Sequence, residues 1–228
     1  MRAMAMKCPY RRLTLEKDSN RLLTMKERKR SERLRANDRK AVTVQTIIEL
    51  AAEQNPAEIT TSAMAERMHM TQGALFRHFA SKDAIWQEVM EWVAEHLLAR
   101  VDKAAQVEKS PLKALEAVFM AHIRFVVQYA GVPRILFGEL QRPGDSQTKR
   151  VVRKLLAQYG KRLRALIDQG KSQGELEPEI DTGAAAALFI GAIQGLIMQS
   201  LLTGKSGGVR AKAPKVFAIY LRGIRRVR

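Results

Sequence analysis

The chain has 228 residues, a formal net charge of +17 and one cysteine, Cys8. That length allows one large domain or a small head on a larger body, and the excess of 40 Lys and Arg over 23 Asp and Glu points to a polyanionic partner such as nucleic acid. A single thiol excludes an internal disulfide and fits a reducing compartment.

Residues 1–37 read as a basic, disordered arm, because charged and polar groups interrupt every apolar pair. The opening MRAMAMKCPYRR has no continuous apolar stretch, so no secretory signal is expected and the location is expected to be cytoplasmic. Met25 begins a segment that resembles an ordinary start. From Asp38 to Gln54, Val44, Ile47, Ile48, Ala51 and Ala52 recur at helical spacing and predict a supporting helix, with Pro56 just beyond it.

Two short helices and the start of a third follow, in the stretch ITTSAMAERMHMTQGALFRHFASKDAI from Ile59 to Ile85. Thr60 is placed to cap a helix beginning near Thr61, with Ala63, Met64, Ala65 and Met68 on one face. Met68 to Met70 form a turn, and Thr71 caps a second helix in which Leu75 and Phe79 face inward. Gln72, Gly73, Ala74, Phe76, Arg77 and His78 are left outward. In a helix-turn-helix, the second helix enters the major groove, and an exposed stripe of this composition suits that task.

Ser81 caps a longer helix through Ile85, Val89, Trp92, Val93 and Leu97, leading away from this head. Ser110-Pro111 is a cap followed by a first-turn proline, opening a helix expected to run to about Ala130 and to be stopped by Gly131 and Pro133. A short helix with Ile135, Leu136, Phe137 and Leu140 precedes a turn at Arg142 to Asp145. Ser146 to Ser172 is amphipathic, with Val151, Val152, Leu155, Leu156, Tyr159, Leu163, Leu166 and Ile167 inward. Gly170, Gly174 and Pro178 mark its fraying end. Thr182 to Gly204 holds no charged residue, but Gln194, Gln199 and Ser200 would be costly in lipid, so it reads as a buried oligomer helix rather than a membrane span. Gly183, Ala187, Gly191 and Gly195 form a small-residue stripe that admits a close neighbour. No strand alternation or nucleotide-binding glycine loop occurs, so the fold class is all-α.

The motif T-x-x-x-[IM]-A followed by TQGALFRHFASKD resembles the N-terminal domain of TetR-family transcriptional regulators. The elements that match are the turn Met68 to Met70, the helix Thr71 to His78, the aromatic pair Phe76 and Phe79, and the step Ser81-Lys82-Asp83. His69 stands where the family usually has Gly, and Phe76 where it usually has Tyr. His tolerates positive φ better than most residues. Phe76 cannot make the phosphate hydrogen bond of that Tyr hydroxyl. The resemblance implies a three-helix DNA-binding head over 38–98, with its helix-turn-helix at about 61–80, on a helical effector-binding and dimerisation body over 99–228. Gln72 and Arg77 then face base edges, with Gly73, Ala74 and His78 beside them, while Thr60, Thr61, Thr71, Phe76 and Lys82 position phosphates.

It also implies a homodimer made by the last two helices, through the small-residue stripe together with Phe217 and Leu221, on a palindromic operator in double-stranded DNA. A small hydrophobic effector would release this repressor. Its expected pocket is lined by Phe119, His122, Ile123, Phe125, Val126 and Tyr129, with Phe137, Tyr159 and Gln194 as polar or aromatic edges. The competing expectation is an architectural or partner-recruiting DNA binder without an effector, which a filled body core would favour.

The four histidines, His69, His78, His96 and His122, lack metal-ligand spacing and cysteine partners, and no nucleophile-base arrangement appears locally. No metal, cofactor, membrane contact or catalysis is expected, and the protein is expected at the bacterial nucleoid. Residues 1–36 hold 12 basic and 4 acidic groups. Deleting them is therefore expected to flatten the slope of log affinity against log salt by roughly 0.9 for every phosphate that the arm neutralises, with sequence preference largely kept. Titrating truncated and full-length protein against one operator at several salt concentrations checks this.

Overall fold

The computed structural model describes residues 40–204 and 207–226. The expected arm over 1–37, Cys8 and the Met25 start lie outside the described residues. Helix α1 is described over 40–53. It is followed by α2 (Thr61–Arg67), α3 (Gln72–Phe76), α4 (Lys82–Gln106), α5 (Pro111–Gln128), α6 (Gly131–Gln141), α7 (Gln147–Ser172), α8 (Thr182–Thr203) and α9 (Gly207–Ile224). No strand occurs among the described residues; the one extended pairing is an isolated antiparallel bridge between Leu176 and Arg225.

Polar side chains set most helix starts. Thr60, Thr71, Ser81, Ser110, Ser146 and Asp181 each accept a hydrogen bond from the backbone N–H three residues on, satisfying an amide that the first turn leaves without a partner. Helix α4 has 25 residues, so it spans roughly 37 Å. It runs unbroken from the end of the helix-turn-helix into the body, packing on α5 and α7 and crossing the boundary drawn at residue 98. Trp86, Met90, Val93, Leu97 and Val101 are its buried face.

The body core is aromatic where α5, α8 and α9 meet. Phe119 packs edge-on to Phe189 at 5.2 Å, and Phe217 lies 5.2 Å from Phe119. Tyr220 donates from its buried hydroxyl to Ala185 O at 3.1 Å, and burial pushes that phenol's pKa up. Phe217 is only 2% exposed, which corrects its expected place at the dimer interface: its ring belongs to the chain's own core. Leu221 is half-buried.

Three other expectations are corrected. Gly131 and Pro133 do not stop a helix; α5 ends at Gln128, and both residues lie in the first turn of α6, where a proline lacks no needed donor. A Cβ on Gly131 would stand 1.9 Å from Ile48 O, so the missing side chain lets α6 rest on the backbone of α1. Leu156, expected inward, is 40% exposed. The end of α7 is closed rather than frayed: Gly174 takes φ +71, Leu176 N–H reaches back to Gly170 O at 3.1 Å, and Leu176 is fully buried.

Helix α8 is long and apolar enough to cross a membrane by length and composition. One of its faces, with Ala185, Ala186, Phe189, Ile193 and Leu196, is packed inside the body.

Candidate nucleic-acid interface and effector cavity

The head begins with Thr60, whose hydroxyl accepts from Ala63 N at 3.1 Å, and with Met64 and Ala65 buried beneath α2. The chain then reverses at His69, the one non-glycine residue with positive φ (+52) among those described, and Met70 N–H bonds Ala65 O at 3.0 Å. Thr71 accepts from Ala74 N at 3.2 Å to start α3, which is held down by Leu75 (1% exposed) and followed by buried Phe79. Helix α3 ends at Phe76, so Arg77 and His78, expected inside it, occupy the turn that follows.

The outward positions come together as the spacing implied. Gln72, Gly73, Phe76, Arg77 and His78 are exposed and Ala74 is half-buried. Gly73 has open space where a Cβ would stand, so nothing on the protein side crowds this surface. Gln72 Nε2 donates to Thr61 Oγ1 at 2.5 Å, tying the first residue of α3 to the first of α2. Arg67 pairs with Glu53, bracing α2 against α1, and this pairing holds the Glu53 carboxyl below its ordinary range.

Lys82 is the first residue of α4, behind the Ser81 cap. A cation at a helix N-terminus opposes the helix dipole and gains nothing from the fold. Ser81 Oγ accepts from Ala84 N at 3.1 Å, and Asp83, next to Lys82, lies in the same first turn. The exposed residues of α3, the hydroxyls of Thr60 and Thr71 at two helix starts and Lys82 at a third are thus set by three successive short-range caps.

Within the body a cavity of about 80 Å³ lies among α4, α5, α6, α7 and α8. His122, Phe125, Val126, Phe137, Tyr159 and Gln194 line it as expected. Phe119, Ile123 and Tyr129 do not, and each has a reason. Phe119 is fully buried in the aromatic core, Ile123 is 2% exposed in that packing, and Tyr129 turns to the other side of α5, edge-on to Trp92 at 5.1 Å and within 3.2 Å of Arg100 Nη2. Walls that the sequence does not single out are Met90, Val93 and Leu97 on α4, Val132, Pro133 and Leu136 on α6, and Ile190, Ile193 and Ile197 on α8. Their spacing is that of ordinary core stripes, which is why no signal set them apart.

The polar members of the cavity face each other. His122 Nδ1 lies 3.3 Å from the Tyr159 hydroxyl. Burial pushes the imidazole pKa down to about 4 and the phenol's up, so both stay neutral at ordinary pH. His122 is half-buried and is one of the residues lining the cavity. Among the described residues no group of His, Cys, Asp and Glu is placed to hold a metal ion.

Residues 44–89 match the family model described as bacterial regulatory proteins, tetR family, and residues 141–213 match the tetracyclin repressor-like C-terminal domain. Together these matches span just over half of the chain. A nucleoid occlusion factor SlmA from Marinomonas sp. is 25% identical over 162 residues, which cover 71% of this chain and 82% of that relative. Among solved structures, the ketosteroid regulator KstR2 of Mycobacterium tuberculosis superposes with a TM-score of 0.68 at 20% identity, covering 83% of this chain and 96% of that one. The regulator FadR from Bacillus subtilis, in complex with stearoyl-CoA, gives a TM-score of 0.71 at 16% identity, with 80% and 97% covered.

Neutral His122 carries a pH dependence. The unfolded chain protonates an ordinary histidine near 6.5 and the folded one only near 4, so between those values the unfolded state binds more protons. Stability is therefore expected to fall as pH drops through that window, by at most about 1.4 kcal/mol per pH unit from this site. Urea midpoints taken at about pH 7.5 and about pH 5 should diverge more for the natural protein than for His122→Gln, in which that component is absent.

Proposed function

Because the chain belongs to the TetR family of bacterial regulatory proteins, which are non-enzymatic DNA-binding transcription regulators, we propose that it acts as a homodimeric repressor released from its operator by a small apolar effector. The observation that carries the DNA half is the capped, outward α3 with Gln72 at its start and Lys82 behind it. Gln72 and Arg77 read base edges. Thr60, Thr61, Thr71, Phe76 and Lys82 hold the backbone, with Gly73, Ala74 and His78 close to the groove. Two heads on one dimer meet two half-sites roughly 34 Å apart, or a multiple of it, on a palindromic operator. The domain division follows: a basic arm over 1–37, a head over 38–98 and an effector-binding, dimerising body over 99–228, working in the cytoplasm at the nucleoid.

The dimer half of the reading is supported by the outer face of α8. Gly183, Ala187, Gly191 and Gly195 are all exposed, and a Cβ on Gly191 or Gly195 would meet nothing within 4 Å. Around them Leu188 is 60%, Met198 40% and Leu202 79% exposed, and Ile219 on α9 is 69% exposed. An uncharged apolar face of this kind marks an interaction site. Glycine in a helix costs roughly 1 kcal/mol relative to alanine, which close approach of a second α8 offsets. That second apolar face, added to the core-packed one, accounts for a helix with membrane-like composition in a DNA-binding protein.

Release works by population shift: an effector in the cavity favours a spacing of the two heads that no longer fits successive major grooves, and it shifts the equilibrium only by its differential affinity. FadR and KstR2, named respectively for fatty acid and ketosteroid regulation, are consistent with an apolar effector class. One observation favours a second reading. The cavity's 80 Å³ is below the roughly 300–1,000 Å³ of typical ligand sites, and the SlmA relatives are named for nucleoid occlusion, so a partner-recruiting DNA binder without an effector is the alternative.

Selection of bound genomic fragments by purified protein supplies the operator and tests the reading directly. On that operator, Gln72→Ala should weaken binding by roughly 1–3 kcal/mol and relax one base position, whereas Lys82→Ala should weaken cognate and scrambled duplexes alike. Equal loss on both duplexes for Gln72→Ala would remove it from base reading. Gly191→Leu should shift sedimentation toward monomer with the head still folded; an unchanged dimer moves the interface elsewhere.

A further inference from the structure

The end of α9 is stitched to the connection between α7 and α8. Glu177 N–H donates to Ile224 O at 3.0 Å, Arg226 N–H donates to Glu175 O at 3.2 Å, and Leu176 forms a bridge with Arg225. Leu176 is fully buried and Ile224 only 4% exposed, so the backbone that follows α9 is anchored. The side chains placed this way are basic. Arg222 in the last turn of α9, then Arg225 and Arg226 beyond it, border a cleft of about 920 Å³, and Lys113 in the first turn of α5 borders it too. Gly174, at φ +71, lies in the same cleft, and a Cβ on it would stand 3.6 Å from Arg226 Nη1, which sets that guanidinium over bare backbone.

Charge in this cleft is one-sided. Its one carboxylate, Glu175, is engaged at the start of α5, where Oε2 accepts from Ser110 Oγ at 2.6 Å and from Leu112 N–H at 3.2 Å. None of the four cations has an ion pair among the described residues, whereas Arg67, Arg142, Arg150, Arg153 and Arg162 are each paired. Like charges held around one hollow repel, and a bound anion removes that cost. We propose that the cleft binds a small ligand bearing adjacent phosphates, gripped by the guanidiniums of Arg222, Arg225 and Arg226, with Lys113 as a fourth cation. A guanidinium presents a fork that matches a phosphate, and several around one space select a di- or triphosphate over a single anion. The volume is that of small-ligand sites, roughly 300–1,000 Å³, and the cations surround one hollow instead of following the line of charge along a duplex. This cleft shares no lining residue with the effector cavity and none with α3, so the proposal is independent of the readings above.

Titration calorimetry on the full chain with inorganic triphosphate, orthophosphate and ATP tests it. Triphosphate is expected to bind about tenfold tighter than orthophosphate and to raise the melting temperature. ATP tighter than triphosphate identifies a nucleotide as the ligand, and ATP no tighter identifies the phosphate chain alone. The double substitution Arg225→Lys with Arg226→Lys keeps the charge but removes the forks, and it is expected to weaken triphosphate about tenfold. Both positions are exposed, so the ligand-free melting temperature is expected to stay unchanged. As a control, Lys154→Gln with Lys161→Gln removes two exposed cations of α7 and is expected to leave triphosphate binding unchanged. Absence of binding, equal affinity for triphosphate and orthophosphate, indifference to the arginine pair, or an equal loss from the α7 pair overturns the proposal. So does an arginine pair that weakens a scrambled duplex and not triphosphate, because the cleft then belongs to nucleic acid.

Discussion

The backbone contact between α6 and α1 is the constraint on which the linkage of head and body depends. Gly131 sits where any side chain would collide with Ile48 O, at 1.9 Å for a Cβ, and with Ala52 N at 2.9 Å. The next two residues, Val132 and Pro133, are cavity walls. One turn of helix therefore touches the support of the DNA-reading head on one side and the cavity on the other. A change in cavity volume cannot be absorbed by a side-chain rotamer at that point, because backbone meets backbone; close-packed interiors pass such displacements on.

The far end of α6 is tied to the head a second time. Arg142 reaches Asp83 in the first turn of α4 at 3.1 Å and Glu139 at 3.2 Å, and Glu139, 6% exposed, is also bonded by Ser146 at the start of α7. These bonds hold the Arg142 guanidinium's pKa above its ordinary value. The Asp83 pair is largely exposed and energetically modest. Its importance is positional: Lys82, the candidate phosphate contact, is the neighbour of Asp83. Helix α6 thus grips α1 at one end and the start of α4 at the other, with Leu136 and Phe137 on the cavity between them.

Much of the head was legible in the sequence because its signals are local. Thr60, Thr71 and Ser81 announce helix starts, and the apolar spacing of Met64, Leu75 and Phe79 fixes which side is inward. His69 at φ +52 stands where a positive φ was expected from the resemblance. The body was legible as helices but less so as a site. Phe217 and Leu221 form an apolar stripe on α9, and periodicity says that such a stripe is buried without saying whether its own chain or a second copy buries it; Phe119 and Phe189 take Phe217. The cavity depends on five helices, and its wall residues carry the same spacing as residues that fill the core. Gly131 read as a breaker for a related reason: a glycine signals missing volume, and only the fold reveals whether a turn or a neighbouring backbone uses it.

Helix α8 draws these strands together. Its inner face supplies Phe189 to the aromatic core and Ile193 to the cavity, while its outer face keeps glycines exposed beside Leu188, Met198 and Leu202. Gln194 belongs to the seam between the two, lining the cavity and reaching solvent next to Gly191 and Gly195. On the proposed reading, an occupant of the cavity and a second subunit on the outer face would therefore be neighbours across one side chain. The exposed glycines weaken α8 when the chain is alone, so the free monomer is the state in which this seam is least constrained. On the proposed reading, pairing at that face would stiffen the same helix that walls the cavity, so the proposed dimerisation and the proposed occupancy would act on one element.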